Sequence, residues 1–223
     1  MKEEVTDIAL QANALRLGRD FFARPTQIVA RELIGAILYA RRRSGETLAA
    51  RIVETEAYLS EGDAASHSFR GKTARNAAMF GEPGTLYVYK IYGVHLCANI
   101  VTEEAGRGAA ALLRAAEPLQ GLAEMRARRN VDDALKLCRG PGNFCRAFGW
   151  TLQDNGLSLV AETSPEDARE ELFAVFAPPF SENGGVEIAQ SPRIGISQAA
   201  DVPLRFFARG SPFVSRTRSK VVV

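Results

Sequence analysis

TLYVYKIYGVHLCANIV, residues 85–101, is the stretch on which the fold turns. Aromatic and β-branched residues dominate it, as suits a pleated, half-buried surface, and Gly93 interrupts the run near its middle. A β-hairpin is expected, with Tyr92 close to its tip. Upstream, Ala36 to Arg42 and Thr47 to Tyr58 are strand-like runs joined by RSGE, in which Gly45 supplies the backbone freedom of a tight turn. Downstream, GAAALLRAA, residues 108–116, reads as another strand, with Arg114 as the lone charge in an apolar run. Helices are expected around this frame. One starts at Pro25-Thr26, where Ile28, Val29, Leu33 and Ile37 recur near a 3.6-residue period. An amphipathic helix runs from Pro118 through Arg129, Asp132 caps a short one ending at Gly140, and Pro141 starts another through Phe148.

Asp154-Asn155-Gly156 signals a turn ahead of Leu157 to Ala161, and Ser164-Pro165-Glu166-Asp167 has the pattern of a helix start. APPFSENGG, residues 177–185, reads as a long surface loop, while Gly185 to Ile196 and Pro203 to Ala208 read as late strands. No internal repeat or flexible linker divides the chain. The fold class expected is α+β, one mixed domain over residues 1–223, with a largely antiparallel sheet and flanking helices.

Composition supports one folded unit: 223 residues, 46% hydrophobic and 24% charged, match ordinary globular domains rather than fibres or disordered chains. No stretch approaches the ~18 uninterrupted apolar residues of a membrane span. The opening MKEEVTDIALQANALRLGRD carries charges throughout and lacks the apolar run of a secretion signal, so a cytoplasmic protein without membrane association is expected. Basic and acidic residues number 28 and 26, a net charge of only +2, so overall charge draws it only weakly to polyanions. Their distribution is uneven. Residues 154–187 carry 8 acidic side chains against Arg169 alone, and residues 193–223 carry 6 basic ones against Asp201 alone, which reads as an acidic lobe and a basic strip on the surface. Cys97, Cys138 and Cys145 form no Cys-x-x-Cys pair and read as reduced, buried thiols, and with only His67 and His95 available no metal site is expected.

Three features point to chemistry. In VETEAY, residues 53–58, Glu54 and Glu56 share one strand face with Ile52; two carboxylates beside apolar neighbours are either exposed on an edge, paired, or used. Burial would lift one of them toward the range in which a carboxylate takes a proton from water. Second, three of the five tyrosines, Tyr87, Tyr89 and Tyr92, fall on the 85–101 hairpin. A tyrosine at its tip is a poor core residue and a serviceable wedge for a base stack. Third, RGKTARN, residues 70–76, has three cations and no acid; Arg70, Lys72 and Arg75 are candidates for phosphate contact, or simply a solvated loop.

VETEAYLSEGDAASHSFRGKTARNAAMF, PGTLYVYKIYGVHLCANIV, ALLRAAEPL, LCRGPGNFC and PLRFFARGSPFVS, in that order from about Arg19 to Ser215, together closely resemble the 3-methyladenine (alkyladenine) DNA glycosylase family. The resemblance implies a monofunctional enzyme of base excision repair. It would flip an alkylated or deaminated purine out of double-stranded DNA and hydrolyse the N-glycosidic bond, without metal or cofactor and without lyase activity; a monomer is enough for one flipped base. A non-catalytic damaged-DNA-binding module of the same architecture is the alternative. By motif, Glu56 matches the catalytic base and Arg114 an arginine beside the catalytic water. Tyr58, His67 and Tyr89 match residues around the extruded base, and Asn99 an asparagine that excludes guanine. Tyr92 matches the side chain that fills the gap in the duplex, which makes the 85–101 hairpin a DNA-intercalating one. Residues 1–18 fall outside the resemblance and are expected to fray, and His95 receives no role.

Overall fold

Thr47–Tyr58 forms a twelve-residue strand, β2, on which the sheet is assembled. The computed structural model describes residues 15–160, 172–177 and 185–215. Along one edge β2 pairs with β5 (Ala109–Gln120); along the other its first half pairs with β1 (Ile37–Arg41) and Glu54 to Glu56 pair with β8 (Arg205–Ala208). β3 (Leu86–Ile91) and β4 (His95–Thr102) form the expected hairpin, and β4 joins it to the start of β5. β6 (Leu172–Phe176) lies on β1 and β7 (Ile188–Ser191) on β8. Every pairing is antiparallel, and the sheet runs β3-β4-β5-β2-β1-β6, with β8 and β7 added along the second half of β2. With its flanking helices this is an α+β fold.

Strand alternation sends the two faces of this sheet to different tasks. Leu86, Val88, Ala98, Ile100, Ala111 and Leu113 enter the main apolar core with Val29 and Leu33, and with Phe144 and Phe148. Val29 belongs to helix α2 (Thr26–Glu32), which follows a single turn, α1 (Arg19–Phe22). α3 (Leu122–Arg129) and α4 (Ala134–Leu137) lead into α5 (Pro141–Ala147), which carries Phe144. On the opposite face Tyr87, Val101 and Ala110 form a smaller cluster with Met79. At the hairpin tip both Tyr92 and Gly93 have positive φ, 49° and 72°, and the Val94 N–H closes the turn on the Ile91 carbonyl at 3.3 Å. The turn holds Tyr92 and Val94 out in solvent, 78% and 74% exposed.

Several elements differ from the sequence reading. Pro118 does not open a helix: it stays in β5 opposite Ala50, where the β2–β5 register shifts and β4 no longer pairs with β5. Proline is tolerated at such an irregularity, and the helix starts only at Leu122, after Gly121. Asp133 rather than Asp132 caps α4, accepting from the Leu135 N–H. After the 154–156 turn, Leu157 to Val160 make only a bridge from Ser158 to Thr85. The late strand from Gly185 shrinks to β7, and β6 has no counterpart in the reading. Residues 164–167 and most of the 177–185 loop lie outside the described residues. Leu15 to Leu17 do not fray, since the Leu17 N–H donates to the Val175 carbonyl and the Leu15 carbonyl accepts from Ala177. The basic strip is not a surface feature among the described residues: Arg193 and Arg205 are buried in ion pairs, and Arg209 pairs with Glu187. Nor is Asp154 part of a solvated acidic lobe, being buried against Arg42 at 2.6 Å. Among the described residues no helix is long and apolar enough to cross a membrane.

Gly121 is the most constrained turn. Its φ is 75°, and a Cβ there would sit 2.3 Å from Leu48 Cδ2 and 2.6 Å from the Thr47 carbonyl oxygen. Gly121→Ala is therefore expected to lower unfolding free energy by about 2 to 4 kcal/mol, measured by urea denaturation, because strained φ and a backbone clash add.

Candidate active site

Strand register lays out the site as a row across the sheet. Tyr87 faces Asn99, Asn99 faces Leu112, Leu112 faces Glu56, and Glu56 faces Arg205. Tyr89, Cys97, Arg114 and Tyr58 lie two residues from members of the row and share its face. Above them is a cavity of about 410 Å³, closed on its far side by Gly140 to Asn143 at the start of α5 and by Ile194 to Ile196. Its size and its mix of rings with a few polar groups suit a small flat ligand.

Tyr87 and Tyr89 stack with centroids 5.3 Å apart, and the His67 ring meets Tyr89 edge-on at 4.4 Å. His67 Nδ1 lies 3.0 Å from the Tyr87 hydroxyl, whose pKa burial pushes up to about 12. Burial, then the Arg75 charge, lowers the His67 pKa and favours a neutral imidazole. The His67 loop is anchored by Asn76, which donates to the His67 carbonyl at 2.8 Å. Asn99 donates its amide to the Tyr87 carbonyl at 3.1 Å, which fixes it in the wall.

Glu54 and Glu56 are both fully buried, so the exposed-edge alternative is excluded. Glu56 Oε1 accepts from the Ile194 N–H at 2.7 Å and lies 3.2 Å from Arg114 Nη1; Oε2 accepts from the Tyr58 hydroxyl at 3.0 Å. A carboxylate offers about four acceptor positions, so two hydrogen bonds and the ion pair with Arg114 leave acceptor capacity unused. Burial raises the Glu56 pKa, opposed by Arg114 and the Ile194 and Tyr58 hydrogen bonds. Glu56 does not itself line the cavity; its partners Tyr58, Arg114 and Ile194 do. Glu54 is spent on structure: Oε1 accepts from Arg114 Nε at 3.0 Å and Arg205 Nε at 2.7 Å, and Oε2 from the Ser215 N–H at 2.7 Å. Burial works against the Arg114 charge, but Glu56 and then Glu54 outweigh it and raise its pKa.

The structure thus places Arg114, Tyr58, His67, Tyr89 and Asn99 around one cavity with Glu56 behind its wall, and Tyr92 also borders it from the hairpin tip. The basic loop is divided. Arg70 and Lys72 are exposed, whereas Arg75 donates to the Lys90 carbonyl at 2.8 Å and ties the loop to β3. His95 is exposed at the cavity mouth, close to Gly142. Cys97, Cys138 and Cys145 are free and buried, and Cys97 borders the cavity.

Sequence reasoning missed Ile194, which acts through a backbone N–H that no side-chain pattern betrays. It also missed Arg205, although a lone charge in PLRFFA is the same signal as Arg114 in its apolar run. Asp63 and Arg193 went unnoticed as well. They form a doubly hydrogen-bonded pair at 2.6 and 2.7 Å, with the Arg193 guanidinium 4.6 Å from the Tyr58 ring centroid.

The candidate site is therefore an antiparallel sheet that buries a carboxylate behind an aromatic cavity. A family model for methylpurine-DNA glycosylase (MPG) matches residues 20–212. A protein of Rhodopseudomonas palustris (strain BisB18), provisionally named a 3-methyladenine DNA glycosylase, is 47% identical over 219 residues, 95% of this chain and 98% of its own. Proteins with the same provisional name from Methanoculleus marisnigri and Chlorobaculum parvum are 47% and 45% identical; these matches span 88% and 91% of this chain and 96% and 92% of theirs. The chain belongs to the methylpurine-DNA glycosylase family.

Removing Glu54 strands the buried Arg205 guanidinium. Glu54→Ala is expected to lower unfolding free energy by about 3 to 5 kcal/mol, read by chemical denaturation, because an uncompensated buried charge remains.

Proposed function

We propose that this protein is a monofunctional DNA glycosylase that hydrolyses the N-glycosidic bond of alkylated or deaminated purines turned out of duplex DNA. The observation that carries this reading is a buried Glu56 whose three partners line an aromatic cavity beside the exposed Tyr92. Family membership supports it.

In this reading Tyr92 enters the duplex and takes the space the extruded nucleotide leaves, while the damaged base lies among Tyr58, Tyr89 and His67. Unstacking costs a few kcal/mol, less at damaged pairs, and stacking on rings returns about 1 to 3 kcal/mol. Asn99, held by the Tyr87 carbonyl, does not swing aside for the exocyclic amino group of guanine. A water at the wall formed by Tyr58, Arg114 and Ile194 occupies the remaining acceptor position of Glu56. Its oxygen attacks C1′ and its proton passes to Glu56; the C1′–N bond breaks with its electron pair leaving on the base. N3- and N7-alkylated purines are cationic and leave neutral. Among the described residues no lysine lines the cavity to form a Schiff base, which supports a product that is an intact strand with an abasic site. Arg70 and Lys72 are suited to the DNA backbone, a monomer suffices for one extruded base, and nothing in the reaction calls for a cofactor.

The test is single-turnover release of hypoxanthine, ethenoadenine or 7-methylguanine from a duplex oligonucleotide, with alkali revealing abasic sites. Glu56→Gln is expected to slow release by about 10²- to 10⁴-fold. Because the carboxylate is the active form and its pKa is raised, release should fall on acidification, with a midpoint above the usual glutamate range. Lesion binding without release by either protein would favour a non-catalytic binding module. Tyr92→Ala should leave the melting temperature unchanged, since the side chain is exposed, and weaken lesion-duplex binding by about 1 to 3 kcal/mol in a fluorescence titration.

A further inference from the structure

The Asp63–Arg193 pair takes no part in the reaction derived above, yet it reaches the cavity through one ring. Arg193 is wholly buried and Asp63 nearly so. Two parallel hydrogen bonds join them, and Arg193 Nη1 also donates to the Ala57 carbonyl at 2.9 Å. Asp63 in turn accepts from the Leu59 and Ala65 N–H groups, at 3.0 and 3.1 Å. This set holds the guanidinium 4.6 Å from the Tyr58 ring centroid. Tyr58 borders the cavity and Arg193 does not, so the guanidinium can act on a guest only through its field and the Tyr58 ring it touches.

A cation over one face of an aromatic ring draws on the same quadrupole that a second cation on the other face would use. A bare guanidinium behind Tyr58 would therefore oppose a positively charged guest and leave a neutral one nearly unaffected. Asp63, gripping both terminal (Nη) nitrogens of the guanidinium, cancels that charge. The other charges near Tyr58, Glu56 on its hydroxyl and Arg114 beyond, belong to the reaction centre and are the same in every variant compared below.

We propose that the Asp63–Arg193 pair sets the charge preference of the cavity: balanced, it lets Tyr58 stack on cationic and neutral purines alike, and unbalanced it would sort them. The inference rests on the glycosylase reading and names the element that governs its substrate class.

The experiment compares single-turnover release of cationic 7-methylguanine and neutral hypoxanthine from matched duplexes by the parent, Asp63→Asn, Arg193→Gln and Arg193→Lys, with melting curves to establish folding. Asp63→Asn leaves a positive charge behind the ring and should lower the ratio of 7-methylguanine to hypoxanthine release by about two- to thirtyfold, the range of a cation–ring contact. Arg193→Gln leaves a negative charge and should raise the ratio. Folded variants that lose both substrates in equal proportion would show the pair to be structural only and overturn the proposal. Should neither variant fold, Arg193→Lys decides, because it keeps the charge balance while losing the double hydrogen bond. A ratio within about twofold of the parent's supports the proposal, and a larger change overturns it. A parent that releases neither base overturns the glycosylase reading and this inference with it, whereas an active parent with an unmoved ratio in the variants overturns this inference alone.

Discussion

The structure depends on keeping six buried charges in balance. Glu54, Glu56 and Asp63 face Arg114, Arg193 and Arg205 in the interior beside the cavity, and each member has an oppositely charged partner within 3.2 Å. Isolated, any one would cost several kcal/mol to desolvate, so the set is tolerable only when complete. That requirement explains features with no local cause: the bulged register between β2 and β5, the seating of β8 on the second half of β2, and the return of the chain at Ser215 to cap Glu54. Glu54 accepts from three donors and has little left to offer, which frees Glu56 to keep an open acceptor position.

The frame around these charges is rigid for the same reason that the site is well defined. The row from Tyr87 to Arg205 is laid out by backbone ladders, so the rings, the amide and the carboxylate keep their spacing without relying on loops. Loops supply exposed side chains: the 60–76 stretch brings His67, Arg70 and Lys72, and the hairpin tip brings Tyr92.

Much of this was legible in the sequence where a local rule was at work. Aromatic and β-branched content and Gly93 marked the hairpin, RSGE marked the β1–β2 turn, and the isolation of Arg114 marked a charge that needed a partner. Where long-range pairing decides, local rules fail. Pro118 is a plausible helix start by itself, but β2 claims it as the end of a long strand, and β6 is recognisable only once β1 offers an open edge. Composition misled in one respect, since Arg193 and Arg205 looked like surface charge because their partners, Asp63 and Glu54, lie more than a hundred residues away. Motif resemblance located the cavity residues, but the Ile194 N–H and the Asp63–Arg193 pair behind Tyr58 emerge only in three dimensions.

The partners of Glu54 lie 60, 151 and 161 residues further along the chain. A ribosome delivers β2 long before Arg205 or Ser215 exists, so during synthesis the strand at the centre of the sheet holds two carboxylates whose final neighbours are still to come. Sealing them from water must wait for the last strands, and the interior closes late, in a step of high contact order. The buried charges of the site are therefore complete only in a chain that has also seated β8 and brought Ser215 back to Glu54.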